Sequence, residues 1–203
     1  MSDAYKKLEE ALKQDATLKD VSFQGLSLRS EELRGLRGDF LVFSGCDMDL
    51  VSLRQARLTD CDFVKAKLAG ADCSESMFWQ CRFTEVHATG ADFTATDSTM
   101  SWFRGAILTD AIFDRARLTE TAFERAQLQN AVFEDAEGDG TSFKDADLTG
   151  ASFKGAKLPK ADFSGAKLVG ADFTGATLTN AVFIGADLSG ANLKTADTTG
   201  AQF

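Results

Sequence analysis

ADFSGAKLVGADFTGATL, running from Ala161 to Leu178, repeats itself every five residues: an alanine, and two positions later a phenylalanine or leucine. Neither regular secondary structure explains that spacing, because a helix brings residues to one face every 3.6 positions and a strand every two. A five-residue period with one large and one small apolar residue instead describes short straight pieces joined by regular corners. Extending the register outward from Ala161 covers Val21 to Phe203 without an insertion. The 37 positions whose numbers end in 3 or 8, from Phe23 to Phe203, are the repeat centres; Phe, Leu or Met fills 31 of them, and 16 of the 17 phenylalanines fall there. Two residues earlier alanine fills 22 of 37 positions, and from Ala106 onward that set is alanine or threonine throughout. Chance would place only about a fifth of the phenylalanines in register, so the repeat governs the fold before any local propensity does.

Four such pieces make a coil of 20 residues, and coils stacked at strand spacing, roughly 4.8 Å, pair their backbone groups with the coils above and below. Reading at intervals of 20 gives four columns. Phe23 through Phe203 is phenylalanine throughout; a second column is leucine except at Met48 and Ala88; a third runs from Leu33 through Cys73 to Phe93 and on to Leu193. The fourth is irregular: Gly38, Leu58, Phe78, Ser98, Leu118, Gly138, Leu158, Leu178, Thr198. Phe78 beside Cys73 in one coil reads as volume exchange in a packed interior. The irregular positions lie mostly before about residue 105.

These residues resemble the A-(D/N)-L-x-x signature of the pentapeptide-repeat family. The resemblance implies an all-β fold, a right-handed quadrilateral β-helix of about nine coils and roughly 40 Å in length, with residues 21–203 forming the β-helix. Residues 1–20 are expected to be an N-terminal α-helical cap. Residues 3–19 break the repeat, Ser2 or Asp3 can cap a helix there, and Tyr5, Leu8, Ala11 and Leu12 share one face. A lid over the first coil is the plain reading of that helix and a partner-binding helix the alternative. At the other end the repeat runs into Phe203, so the terminal coil, with Phe183, Leu193 and Phe203, is expected to pair two copies as a homodimer; a frayed monomer competes.

The chain carries 22 Lys and Arg against 31 Asp and Glu, a formal charge of −9. That balance disfavours direct binding to nucleic acid. No apolar run is long enough to cross a membrane, and Met1 to Asp20 does not read as a signal peptide, so a cytoplasmic location is expected. No cofactor is called for. His87 sits at an outward position with no nucleophile in register, and a filled interior offers no catalytic cleft, so the expectation is a protein without enzymatic activity. Cys46, Cys61 and Cys81 occupy the inward small position and Cys73 a centre, as small buried hydrophobes would; Cys61 and Cys81, one coil apart, leave a disulfide open on distance alone. Asp135-Ala-Glu137-Gly-Asp139-Gly140 begins like a calcium loop, but Ala146 stands where the bidentate acid is required.

Residues 20 apart alternate in sign along several columns: Asp97–Arg117–Glu137–Lys157, Asp147–Lys167–Asp187 and Arg104–Glu124–Lys144, together with Arg115–Asp135, Arg125–Asp145 and Lys65–Glu85. Much of the acid is thus neutralised locally. The exception is Asp72 above Asp92. The pentapeptide-repeat resemblance implies an alternative role for these acids, since the family's best-known functional members mimic DNA and protect or inhibit DNA gyrase; Asp72 and Asp92 would then form the mimic surface and gyrase would be the partner. This sequence departs from the quinolone-resistance subset in having no loops inserted into the repeat. The remaining unusual surface is apolar. Trp79, Met100 and Trp102 point outward near one corner, and Ile107 and Ile112 continue around the coil that holds Trp102, with Val132 stacked on Ile112. They suit a protein partner of unknown identity. The competing reading has Trp102 stacked on Arg82 as a cation–π pair.

Overall fold

The computed structural model describes residues 2–203. It opens with one helix, α1 (Asp3–Gln14), and continues as a parallel β structure in which every coil pairs with the next. The helix is shorter than the sequence pattern implied. Asp15 turns left-handed at φ 51° and donates its N–H to the Ala11 carbonyl, which ends the helix. Thr17–Lys19 is already a strand, β1, paired with β2 (Arg37–Asp39). The physical reason is register: Leu18 occupies the same column as Gly38 and Leu58, so the chain enters the first coil before Val21. Strands β3 (Arg57–Thr59) and β4 (Met77–Trp79) complete a four-stranded parallel sheet in the order β1-β2-β3-β4.

Beyond β4 the pairing continues as single parallel bridges. Four ladders join residues 20 apart: Ser22–Val42 to Val182–Gln202, Ser27–Asp47 to Lys167–Asp187, Glu32–Ser52 to Asp172–Asn192, and the sheet continued by Met77–Asp97 to Thr177–Asp197. They are called the first to fourth ladders in that order. Each bridged residue points outward and the repeat centre after it points inward. Phe23 N donates to the Val42 carbonyl at 2.7 Å, and Val42 N to the Val21 carbonyl at 3.0 Å, so adjacent coils satisfy one another's backbone groups.

The corners explain the five-residue step. Every fifth residue from Asp20 to Gly200, Thr195 excepted, has a positive φ. The exception is the one β-branched residue in the set, the type for which that conformation is most strained. After most corners an N–H returns to the carbonyl three residues earlier, as Leu26 does to Phe23 at 2.9 Å. The small inward residue follows directly, which is why alanine dominates there.

Inside, phenylalanine rings of the first column stack coil on coil from Phe23 to Phe203, with Phe103 and Phe123 5.0 Å apart. From Phe93 to Phe173 the third column stacks alongside and meets the first edge-to-face. Where the pattern breaks, volume is exchanged between neighbours. A Cβ on Gly38 would lie 2.2 Å from Leu41 Cδ1, so Leu41 fills the space that a larger centre would take. Gly138 makes the same room for Thr141 Oγ1. At the start, α1 buries Leu8 and Ala11 against this interior, with Tyr5 and Leu12 packed beside them. Tyr5 also donates its hydroxyl to Glu31 at 2.8 Å, and Arg37 pairs with Asp15 at 3.1 Å.

Candidate interaction surface

Strand β4 alternates faces at every residue, so burying Phe78 completely forces Met77 and Trp79 outward. Their exposures, 39% and 45%, are high for such large apolar side chains. The chain then turns at Gln80, whose side-chain nitrogen lies 3.9 Å from the Met100 sulfur one coil on. Trp102 follows two residues after Met100, half-buried, between Arg82 and Ala122 on the first ladder. Trp79, Met100 and Trp102 therefore share the edge between the fourth and first ladders. Phe40 lies on the same edge two coils earlier, 55% exposed.

Ile107 and Ile112 are not part of that edge. Ile107 sits on the second ladder between His87 and Gln127, and Ile112 on the third between Asp92 and Val132. Both are half-buried. The sequence reading missed Met77 and Phe40, although each carried a signal. Phe40 is the single phenylalanine out of register, and Met77 is a large apolar residue at an outward position. As for Arg82, it pairs with Asp62, one coil below, and so directs its guanidinium away from Trp102 one coil above.

The acids of the third ladder hold their own turns. Asp72 accepts from the Ser74 N–H and hydroxyl at 3.0 and 2.6 Å, and Asp92 from the Thr94 N–H at 2.8 Å. Asp72 and Asp92 are direct ladder neighbours. Asp114 extends the series, and burial, joined by the charges of Glu134 and Asp92, pushes its carboxyl above the usual range. Lys154 closes it, 3.7 Å from both Glu134 and Asp172. Several of the expected sign-alternating pairs form: Lys157–Glu137 at 2.8 Å, Arg104–Glu124 at 3.0 Å, Lys65–Glu85 at 3.5 Å, Lys167–Asp147 at 3.6 Å and Arg117–Asp97 at 3.8 Å. Asp139, in the stretch that begins like a calcium loop, pairs with Lys160 at 3.0 Å.

All four cysteines are buried free thiols. Cys46 donates to the Phe23 carbonyl at 2.8 Å, while Cys61 and Cys81 donate to carbonyls of their own and the preceding coil rather than joining. Burial pushes the Cys46, Cys73 and Cys81 thiols up, against the thiolate that reactivity needs. His87 is exposed. Among the described residues no group of three or more His, Cys, Asp or Glu side chains is placed to hold a metal ion, and no helix is long and apolar enough to cross a membrane. At the far end Phe203 stacks on Phe183 at 5.1 Å; Phe183 is 2% exposed and Phe203 65%, with Leu193 half-buried between those limits.

Sequence profiles described as pentapeptide repeats in eight copies match residues 41–72 and 66–97, and one described as a pentapeptide repeat region matches residues 106–183. The chain belongs to the pentapeptide-repeat family. No curated protein matches the sequence. Among solved structures, this pentapeptide-repeat protein is similar to HetL from the cyanobacterium Nostoc sp. strain PCC 7120, a protein involved in heterocyst differentiation regulation. That match has 24% identity and a TM-score of 0.51 and covers 90% of this chain and 87% of HetL. A trypsin-treated form of QnrB1, a plasmid-mediated fluoroquinolone resistance protein, matches at 17% identity with a TM-score of 0.57 over 92% of this chain and 91% of the other. A pentapeptide-repeat protein from the Arabidopsis thaliana thylakoid lumen is 37% identical over 46% of this chain and 65% of its own, with a TM-score of 0.45. At these identities HetL and QnrB1 speak to the fold.

Proposed function

We propose that this pentapeptide-repeat protein is a non-catalytic interaction scaffold of the cytoplasm, a right-handed quadrilateral β-helix of about nine coils that presents one apolar edge to a protein partner. The observation that carries this reading is the adjacent exposure of Met77 and Trp79 on β4, with Met100 and Trp102 next to them, on a rod whose repeat-centre phenylalanines are buried along most of its length. Exposed tryptophan is a frequent interface anchor, and a contiguous apolar surface on a soluble rod costs free energy unless something covers it. Ile107 and Ile112 belong to other ladders and would extend the contact only for a partner that wraps the rod. The filled interior supports a binding role rather than catalysis. Trp79→Ala combined with Trp102→Ala should abolish partner capture from extracts of the source cells while leaving the fold intact. Undiminished capture by the double variant would end this reading.

A second reading rests on the third ladder, where Asp72 stacks on Asp92 and Asp114 continues the acid. It makes the protein a DNA-mimic effector of DNA gyrase, acting as inhibitor or as protector against quinolones. Local pairing of the other acids with Lys and Arg weighs against it. Salt separates the two, because a mimic's binding falls steeply with ionic strength and an aromatic-anchored contact does not. A supercoiling assay that responds to low-micromolar protein, and ceases to respond with Asp72→Asn and Asp92→Asn, would favour the mimic. For the terminal coil, the exposure of Phe203 over buried Phe183 supports a homodimer through that end, with Leu193 at its border. Sedimentation showing monomer alone at tens of micromolar would exclude it.

A further inference from the structure

Elsewhere on the rod, a basic residue commonly meets an acid one coil away, as in Arg29–Asp49 at 2.7 Å and Lys157–Glu137 at 2.8 Å. The edge between the third and fourth ladders breaks this rule in coils adjoining β2 and β3. Arg37 and Arg57 are direct partners in the parallel sheet. Arg34 and Arg54, on the other side of the same corner, are also 20 apart. Four arginines, two in each coil, thus form a square in register around the corner residues Gly35 and Gln55. Like charges stacked in this way are unfavourable unless an anion is shared between them.

Two carboxylates answer those four charges. Asp15 pairs with Arg37 at 3.1 Å, and Glu75 pairs with Arg54. A hydrogen bond from Gln55 at 2.8 Å, with the charges of Arg54 and Arg34 behind it, holds the Glu75 carboxyl below its usual range. Arg34 spends its fork on a neutral acceptor, the Gln55 side-chain oxygen, at 3.2 and 2.9 Å. Arg57 is exposed and forms no salt bridge among the described residues. Arg54 Nε is shielded from solvent without a hydrogen-bond partner, a donor that a further acceptor would satisfy. A groove of about 410 Å³ runs along the Arg37 and Arg57 side of this square, lined by Asp15, Gly35, Arg37, Gln55, Arg57 and Glu75. The result is local positive charge on a chain of net charge −9.

The position of the square matters as much as its sign. Arg57 is the ladder neighbour of Met77, and Thr59 of Trp79. The basic groove and the apolar edge therefore flank one face, separated along β3 by two residues, roughly 7 Å. We infer that this face recognises a short acidic segment of a protein partner, whose carboxylates take the free fork of Arg57 and displace the neutral Gln55 oxygen from that of Arg34, while an adjoining apolar side chain covers Met77 and Trp79. Guanidinium forks match carboxylates two bonds at a time. A long phosphate backbone fits less well, because two carboxylates, Asp15 and Glu75, line the groove itself. This inference rests on the scaffold reading of the Trp79 edge and adds the chemistry of the partner.

The test uses two synthetic peptides, one with a run of glutamates followed by Leu-Phe and one of glutamates alone, titrated into the full-length protein by calorimetry. Arg34→Gln with Arg57→Gln should weaken both peptides by about tenfold or more, the scale of one lost charge-assisted contact. These two arginines hold no ion pair among the described residues, and Arg34 only exposed hydrogen bonds to Gln55, so the variant should melt close to the parent; a parallel melting curve confirms that it is folded. Trp79→Ala should weaken only the Leu-Phe peptide. Unchanged affinity in the arginine variant, or binding of neither peptide to the parent, overturns the acidic-segment inference. So does tighter binding of a short DNA duplex through the same arginines. If the arginine variant loses both peptides but Trp79→Ala loses neither, the basic groove stands and the apolar-edge reading falls.

Discussion

Coils before about residue 105 and coils after it share a backbone and differ in what they carry on it. In the later half the inward small position is alanine or threonine throughout, and the first-column phenylalanines alternate with leucine and further phenylalanine. In the earlier half Leu36, Leu41, Cys46, Val51, Cys61, Ser76, Cys81 and Val86 occupy that small position, all buried. Both tryptophans, all four cysteines and the arginine square also fall there. Yet corners and ladders continue through both halves with the same spacing. The contrast teaches that the repeat conserves interior volume per coil rather than residue identity per position. Leu41 with Gly38, and Thr141 with Gly138, show the exchange directly. Freed from a fixed pattern, the earlier half displays a surface that the later half lacks.

If the aromatic column is common to both halves, Phe63→Ala and Phe123→Ala should cost alike, about 3–5 kcal/mol each in urea unfolding. Both rings are fully buried and stacked on two neighbours, Phe43 and Phe83 in one case and Phe103 and Phe143 in the other. A gap of more than about 2 kcal/mol between them, the full width of that range, would break the comparison. Volume exchange makes a sharper claim. Gly38→Leu alone should destabilise by about 1–3 kcal/mol or more through collision with Leu41. Adding Leu41→Ala restores the common pattern and should recover most of that loss, whereas additive costs would refute the exchange.

Much of this was legible in the sequence, and the parts that were not have identifiable reasons. The five-residue period gave the register of every centre from Phe23 to Phe203 because side chains alternate strictly between corners. It did not give the end of α1, since Leu18 satisfies a helical face and a repeat centre equally well and only the left-handed Asp15 separates them. Trp79, Met100 and Trp102 were placed on one edge by counting in twenties. Ile107 and Ile112 were read as continuing around the coil that holds Trp102, and five residues on the chain is one ladder further, which puts them on the second and third ladders. The arginine square was hidden because ladder partners were compared for opposite sign, and Arg37 above Arg57 is a pair of the same sign. Asp72 and Asp92 were read as a like-charge stripe, and they are ladder neighbours; what the spacing did not show is that their carboxylates also accept from Ser74 and Thr94 on their own turns.

Smaller effects refine the comparison at its boundary. Ser98 is a polar centre buried between Phe78 and Leu118 in its column, and its hydroxyl has no partner among the described residues. Ser98→Ala should therefore stabilise by about 1 kcal/mol, measured by the urea midpoint; a loss of stability would mean that the hydroxyl is satisfied. The smallest effect concerns Asp114. Burial raises its folded pKa above the unfolded value near 3.9. Its contribution favours folding fully below that value and is lost as pH rises through the folded pKa. Asp114→Asn should raise the melting temperature near neutral pH by about 1 °C and make no difference at about pH 3, where both forms are neutral. An unchanged melting temperature at neutral pH would remove the like-charge strain from the third ladder.

The central claim is that partner contact is confined to the earlier half, on the face between the arginine square and Trp79. The most direct measurement places a photo-crosslinking residue at Met77 in one variant and at Val169, exposed on the later half, in another, and irradiates both in the source cells. The account predicts one discrete adduct from position 77, lost when Trp79→Ala is added, and none from position 169. The same adduct from both positions, or an adduct from position 77 that survives Trp79→Ala, would contradict it.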